Sequence, residues 1–422
     1  MEPINSTNRG ADQVLVEGHS HAKKVVFNRP KQLNALSFQM VSRLLELFLA
    51  CEGDHNVKLI ILKGKGRAFC AGGDVAAVVR EISEGNWKLG AEFFRIEYIM
   101  NYVMATYSKP QVSILNGIVM GGGAGASIHG RFRVATENSV SYFSLISLIK
   151  LQPPCTLRLL QPISFLTYLS LRFIKYEIML SHGVFAMPET ALGLFPDVGA
   201  TYFLPRLPGF FGEYVGLTGS RLDGAEMLAC GLATHFVPEV VINDVDSSVR
   251  IDHRVENLRL RVDHTFLIPR GQLCLGLDII NDFFSRRTVE EIILALEREA
   301  VNTNNGWISS TIKSLKAASP TSLKITLRSI REGRHQGVGQ CLISEYRMVC
   351  HVMQGKVSKD FMEGCRAILL DKDKNPKWEP SKLELVSDEM VNRYFSKVDG
   401  EDVADLKLPA RSNLPAHAIA KL

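Results

Sequence analysis

A chain of 422 residues, 46% hydrophobic and 22% charged, is large enough for two or three packed globular domains. Its formal net charge of +5 is mild and scattered, which argues against a nucleic-acid partner while suiting a small ligand that carries phosphate. The eight cysteines have no C-x-x-C spacing and the eleven histidines form no H-E-x-x-H pair. Reduced thiols in an intracellular compartment are therefore expected, with no metal.

In chain order, "QVLVEG" and "KKVVFNRP" predict a pair of strands. Ser37 is positioned to cap a helix over "SFQMVSRLLELFLACEG", ending at Gly53. "VKLIILKG" reads as a buried strand, "AFCAGGD" as a turn, and "AEFFRIEYIMNYVMATYS" as a long helix. "PQVSILNG" and "RFRVATEN" are further strands, with the glycine run "IVMGGGAGASIHG" between them. The alternation predicts an α/β core over residues 12–238, and a helical C-terminal region over 281–405. Thr288 and Glu291 have the spacing of a capping box, and helices are expected after "SPTSLK" and around "CLISEYRMVCHVMQG".

Two stretches break the pattern. Residues 141–184 are rich in Leu, Ile, Ser and Phe, without a sustained period of 2 or 3.6. Charges and prolines interrupt every apolar run that could span a bilayer, so no membrane segment is expected. This insertion reads either as translated non-coding sequence or as a surface helical hairpin. Residues 239–280 form a second atypical segment. Residues 406–422 read as an exposed tail ending in Ala420-Lys421-Leu422, a close variant of the S-K-L address read by the peroxisomal import receptor. A peroxisomal location is expected.

Chemistry concentrates at three places. Backbone N–H groups in "AFCAGGD" and "VMGGGAGASIHG" can point at an anion, and two such groups converging form an oxyanion hole. The run "GGGAGA" also fits a dinucleotide fingerprint, a weaker reading that leaves the other motifs unexplained. "MPETALGLFPDVGA" carries Glu189 and Asp197, each beside a proline, on backbone stiff enough to hold carboxylates in fixed positions.

"NRPKQLNALS", "GRAFCAGGD", "NGIVMGGGAG" and "FAMPETALGLFPDVGATYFLPRLPG" together resemble the crotonase (enoyl-CoA hydratase/isomerase) superfamily. With "KDFMEGCRAILLDKDKNPKW" near the C-terminus, they resemble more narrowly its 3-hydroxyisobutyryl-CoA hydrolases. The resemblance implies a core of repeated ββα units and an acyl-CoA substrate. It places the thioester carbonyl between the N–H groups of Gly73 and Gly122, with Ala71 and Gly122 at the substrate. Glu189 would be nucleophile or general base, Asp197 would orient water or substrate and assist proton transfer, and Glu97 would meet the polar acyl end. No separate cofactor is implied, because coenzyme A is part of the substrate. Trimer-like or looser oligomers occur in the family.

Hydratases of the family use a second glutamate just after the glycine run. Ala124-Gly125-Ala126 stand there in this chain, with no acid. Losing one of two acid–base groups costs orders of magnitude in rate. Hydrolysis of a short 3-hydroxyacyl-CoA, as in valine degradation, is therefore the expected reaction. An enoyl-CoA hydratase or isomerase is the alternative, as is a crotonase-like protein impaired by its insertion.

Overall fold

The computed structural model describes residues 13–19, 21–136, 185–237, 270–303, 305–398 and 404–411. The expected first strands form as β1 (Val14–His19) and β2 (Ala22–Phe27), paired antiparallel. Ser37 caps α1 (Phe38–Gly53) by accepting from the Met40 N–H at 3.2 Å, a contact worth about 1 kcal/mol. Met40, Val41, Leu44, Phe48 and Cys51 make the buried stripe of that helix, as the apolar spacing requires.

β3 (Leu59–Gly64), β5 (Gln111–Leu115), β7 (Phe132–Ala135) and β9 (His235–Phe236) extend the sheet in the order β1-β2-β3-β5-β7-β9. Every pair after the first is parallel. A parallel sheet must be covered by helices. α2 (Val75–Ser83) and α3 (Trp87–Ala105) fall between β3 and β5, and α3 packs against α1.

A second sheet sets the site. β4 (Ala68–Cys70), β6 (Ile118–Met120) and β8 (Phe185–Ala186) run parallel in the order β4-β6-β8. The segment after β4 is Ala71–Gly73, that after β6 is Gly121–Gly122, and that after β8 is Met187–Glu189. All three motifs thus leave the same edge of three neighbouring strands, where parallel sheets place ligands. Phe69 of β4 and Phe27 of β2 meet with ring centroids 5.2 Å apart, joining the two sheets.

The other core helices are α4 (Gly122–Ile128), α5 (Ala200–Phe203), α6 (Phe211–Thr218) and α7 (Gly224–Cys230). The C-terminal region supplies α8 (Arg270–Phe284), α9 (Val289–Asn302), α10 (Gly306–Ala317) and α11 (Pro320–Gly333). It continues with α12 (Val338–Gln354), α13 (Asp360–Cys365) and α14 (Asp388–Phe395). α12 lies along α3, so this region packs on the core rather than standing apart.

Three details differ from the sequence reading. Helix α8 begins at Arg270, within the stretch read as atypical. Thr288 does accept from the Glu291 N–H at 3.2 Å, but the Glu291 carboxylate takes the Arg287 N–H at 2.9 Å, so the box closes one residue further back. The tail is not exposed from its start: Leu406 is buried, Asp405 binds Arg347 of α12, and Arg411 pairs with Glu52 of α1 at 2.5 Å. An apolar side chain and two ion pairs dock it. The insertion at 141–184, residues 239–269 and Ala420-Lys421-Leu422 lie outside the described residues. No described helix is long and apolar enough to cross a membrane.

Candidate active site

The first glycine turn is held from one side. Ala71 N–H donates to the Leu33 carbonyl at 3.0 Å, Leu36 N–H to the Gly72 carbonyl at 2.8 Å, and Asp74 N–H to the Leu36 carbonyl at 2.8 Å. Leu33 and Asn34 are left-handed, with φ of 51° and 57°. Asn34 secures that bend by donating to the carbonyls of Lys65 and Ala68 at 3.0 and 2.8 Å. This is the structural role of "NRPKQLNALS". Ala71 has its N–H committed, whereas the Gly73 N–H meets no acceptor among the described residues.

The second turn closes on the first. Gly121 adopts φ 45°, and Gly122 opens α4, where an N–H lacks an acceptor within the helix. A Cβ built on Gly122 would stand 2.5 Å from Glu97 Oε1 and 3.1 Å from the Gly73 nitrogen. A Cβ on Gly121 would stand 2.8 Å from Glu189 Oε1. Glycine is required here by close approach. Any side chain would displace either a carboxylate or the neighbouring turn. Gly73, Gly122, Glu97 and Glu189 therefore gather around one spot.

Glu189 opens a short 3-10 turn, Glu189–Leu192, with Pro188 before it. Its side chain is buried, and Oε2 has no hydrogen-bond partner among the described residues. Glu97 projects from α3, buried, with Oε1 likewise unpartnered. One helical turn on, Asn101 is buried with both amide atoms unpartnered, beside Gly125 and Val198. Asp197 is buried and accepts from the Tyr98 hydroxyl at 2.7 Å.

Three acids in so dry a place cannot all ionise easily. Burial, then the Asp197 charge, lifts both Glu97 and Glu189 well above the ordinary glutamate range. Burial also raises Asp197, to about 6, against the opposing Tyr98 hydrogen bond. Asp197 is thus the easiest of the three to ionise, and its neighbours are held closer to protonation. Perturbed carboxyls beside unengaged backbone donors form an arrangement suited to acid–base or nucleophilic chemistry at a carbonyl. Among the described residues no group of His, Cys, Asp or Glu side chains is arranged to hold a metal ion.

Gly73, Gly122, Glu97, Glu189 and Asp197 lie together at this locus, while Ala71 stands two residues before Gly73 with its N–H turned to the Leu33 carbonyl. Sequence reading missed Tyr98, Asn101, His129 and Glu345. Glu345 is fully buried on α12 and accepts from the N–H groups of Gly199 at 2.7 Å and Thr201 at 3.0 Å. Its legible signal was a lone acid on the apolar stripe shared by Cys341, Leu342, Val349 and Val352.

The sheet pair, the glycine turns and the carboxylates define a crotonase-type fold and site. The family model for enoyl-CoA hydratase/isomerase matches residues 22–143 and 172–395, and the chain belongs to that family. The unmatched residues 144–171 fall inside the insertion read from sequence. The chain is 61% identical over 415 residues to 3-hydroxyisobutyryl-CoA hydrolase 1 of Arabidopsis thaliana, covering 97% of this chain and 98% of that protein. It is 55% identical over 417 residues to probable 3-hydroxyisobutyryl-CoA hydrolase 2 of the same plant, covering 97% and 98%. Among solved structures, a carnitinyl-CoA dehydratase from Mycobacterium thermoresistibile superposes with a TM-score of 0.76 at 30% identity, over 95% of this chain and all of that one.

Proposed function

We propose that the protein hydrolyses a short-chain 3-hydroxyacyl-CoA thioester, with 3-hydroxyisobutyryl-CoA as the preferred substrate, as a step of valine breakdown. The observation that carries this reading is the juxtaposition of unengaged Gly73 and Gly122 N–H groups with the unpartnered Glu189 carboxyl. The near-full-length identity to named hydrolases supports the choice of substrate.

The thioester oxygen accepts from the two glycine N–H groups, which stabilise the negative oxygen of the tetrahedral intermediate. Burial holds Glu189 toward its protonated form, so it is the ionised fraction that acts there, in one of two ways. As nucleophile it forms an anhydride with the acyl group as the C–S bond breaks, and water then cleaves the anhydride. As general base it takes a proton from water, which attacks the carbonyl directly. Either way water adds across the bond to give the free acid and coenzyme A thiol. Asp197, oriented by Tyr98, assists proton transfer, and Glu97 with its unpartnered oxygen receives the polar acyl end.

A hydratase needs an acid where Ala124-Gly125-Ala126 stand. A Cβ on Gly125 would lie 2.5 Å from Val198 Cβ, so the helix leaves no space for one there. Release of free thiol from 3-hydroxyisobutyryl-CoA tests the proposal: the wild type should turn over and Glu189→Gln should not. Equal rates would overturn it. We propose further that Ala420-Lys421-Leu422 directs the protein to peroxisomes.

A further inference from the structure

The segment that carries Asp197 is bent in a way its own sequence does not favour. Val198 sits at φ 55° and Gly199 at φ 88°. A β-branched residue in the left-handed region is a steric outlier, and such a conformation persists only where its surroundings over-determine it. Three contacts do so here. The Tyr98 hydroxyl donates to Asp197 itself at 2.7 Å. His129 Nε2 lies 2.9 Å from the Val198 carbonyl oxygen; burial keeps that ring neutral, so this nitrogen carries the proton and donates. From the other side, Glu345 Oε2 accepts from the Gly199 N–H, and Oε1 accepts from both the N–H and the hydroxyl of Thr201.

Glu345 comes from α12, in the C-terminal region, more than a hundred residues along the chain. Burial pushes the Glu345 carboxyl up to about 8, and its two oxygens, met by three donor groups, span the three-residue segment Gly199–Thr201 from end to end. Its hydrogen bonds among the described residues run to Gly199 and Thr201. Space reinforces the bend. A Cβ on Gly199 would stand 2.5 Å from the His129 ring, so no other residue can replace it without losing the His129 contact.

We propose that Glu345 is a positioning residue for Asp197: it locks the left-handed turn at Val198–Gly199 and so fixes the direction in which the Asp197 carboxylate points. The inference rests on the catalytic reading of Asp197 given above. It makes the C-terminal region a working part of the active site rather than a cover over it.

The experiment is steady-state hydrolysis of 3-hydroxyisobutyryl-CoA by full-length Glu345→Ala, Glu345→Gln, Thr201→Val, Asp197→Asn and the double variant Asp197→Asn with Glu345→Gln. Glu345→Ala should lower kcat by about 10²-fold with KM changed little, the size of loss that misplacement of a reacting group produces. Glu345→Gln keeps an acceptor for Thr201 but sets an amide against the Gly199 N–H, so its loss should be smaller. Thr201→Val removes one of the three donors and should also lower kcat. In the Asp197→Asn background Glu345→Gln should cost nothing further, because both changes act on one group. Where Glu345→Ala does not fold, Glu345→Gln and Thr201→Val carry the test. Folded Glu345 variants with wild-type kcat, or a loss that adds in full to that of Asp197→Asn, would overturn the proposal. Wild-type turnover by Asp197→Asn would overturn the catalytic reading of Asp197 and this proposal together. A crippled Asp197→Asn beside unaffected Glu345 variants would overturn this proposal alone.

Discussion

Glu189 is held in surroundings that oppose its charge, and this has a measurable consequence for stability. Its carboxyl is raised above the ordinary value of 4.5 by burial and by Asp197. Below that value both folded and unfolded chains are protonated and the group contributes nothing. As pH rises the unfolded chain ionises while the folded one resists, so the native state loses stability. Glu189→Gln should therefore melt higher than wild type at pH 8, with the gap closing toward pH 4.5 in pH-dependent calorimetry. The same variant should lose at least about a hundredfold in kcat while still binding acyl-CoA. Gly122→Ala would press on Glu97 and the Gly73 nitrogen. Turnover should fall by roughly 10²–10³, the worth of one oxyanion donor, in a protein that still folds by circular dichroism. Glu189, Asp197, Gly73 and Gly122 were legible because glycine runs and proline-flanked acids are local patterns. Tyr98 and His129 were not, because their partners lie 99 and 69 residues away; Glu345 stood out only as a lone acid on an apolar stripe, and its partners lie more than 140 residues away.

Short elements deliver the two glycine turns and Glu189, while the long helix α3 supplies Glu97 and Tyr98. β4, β6 and β8 have three, three and two residues, yet their parallel pairing puts both glycine turns and Glu189 on one edge. Long helices such as α1 could be read from apolar spacing and a capping serine. Strands this short carry no period, and β8 pairs with β6 across sequence that gives no sign of the contact. The turn bearing Glu189 is braced by the C-terminal region. Ser319 N–H donates to the Thr190 carbonyl at 3.1 Å, and a Cβ on Gly364 of α13 would run into the Leu192 backbone. Gly364→Ala should thus cost about 1–3 kcal/mol of stability by overpacking. It should also lower kcat, through displacement of Glu189, although residue 364 takes no part in the reaction. Denaturant unfolding and steady-state kinetics on the same preparation check both effects. Lost stability with an unchanged kcat would show that the turn is not coupled to α13.

At the scale of the molecule, the α/β core, its helical C-terminal region and their family resemblance were evident from the sequence. What composition concealed was their interdependence: α12 lies along α3, and the chain from Asp405 to Arg411 docks back onto α12 and α1. Two features lie outside the described residues. A fluorescent protein bearing only "SNLPAHAIAKL" should enter peroxisomes, and removal of Ala420-Lys421-Leu422 should leave it diffuse by microscopy. Deletion of residues 141–184 should raise soluble yield and specific activity, because so many Leu, Ile and Phe side chains favour aggregation when exposed. The proposed activity requires this crotonase-type site to cleave a thioester rather than hydrate a double bond. Its most direct test is to measure, on one purified preparation, thiol release from 3-hydroxyisobutyryl-CoA and from acetyl-CoA alongside hydration of crotonyl-CoA. kcat/KM for thiol release from 3-hydroxyisobutyryl-CoA should exceed the other two by at least about tenfold. Hydration of crotonyl-CoA as the faster reaction, or no turnover of any of the three, would contradict it.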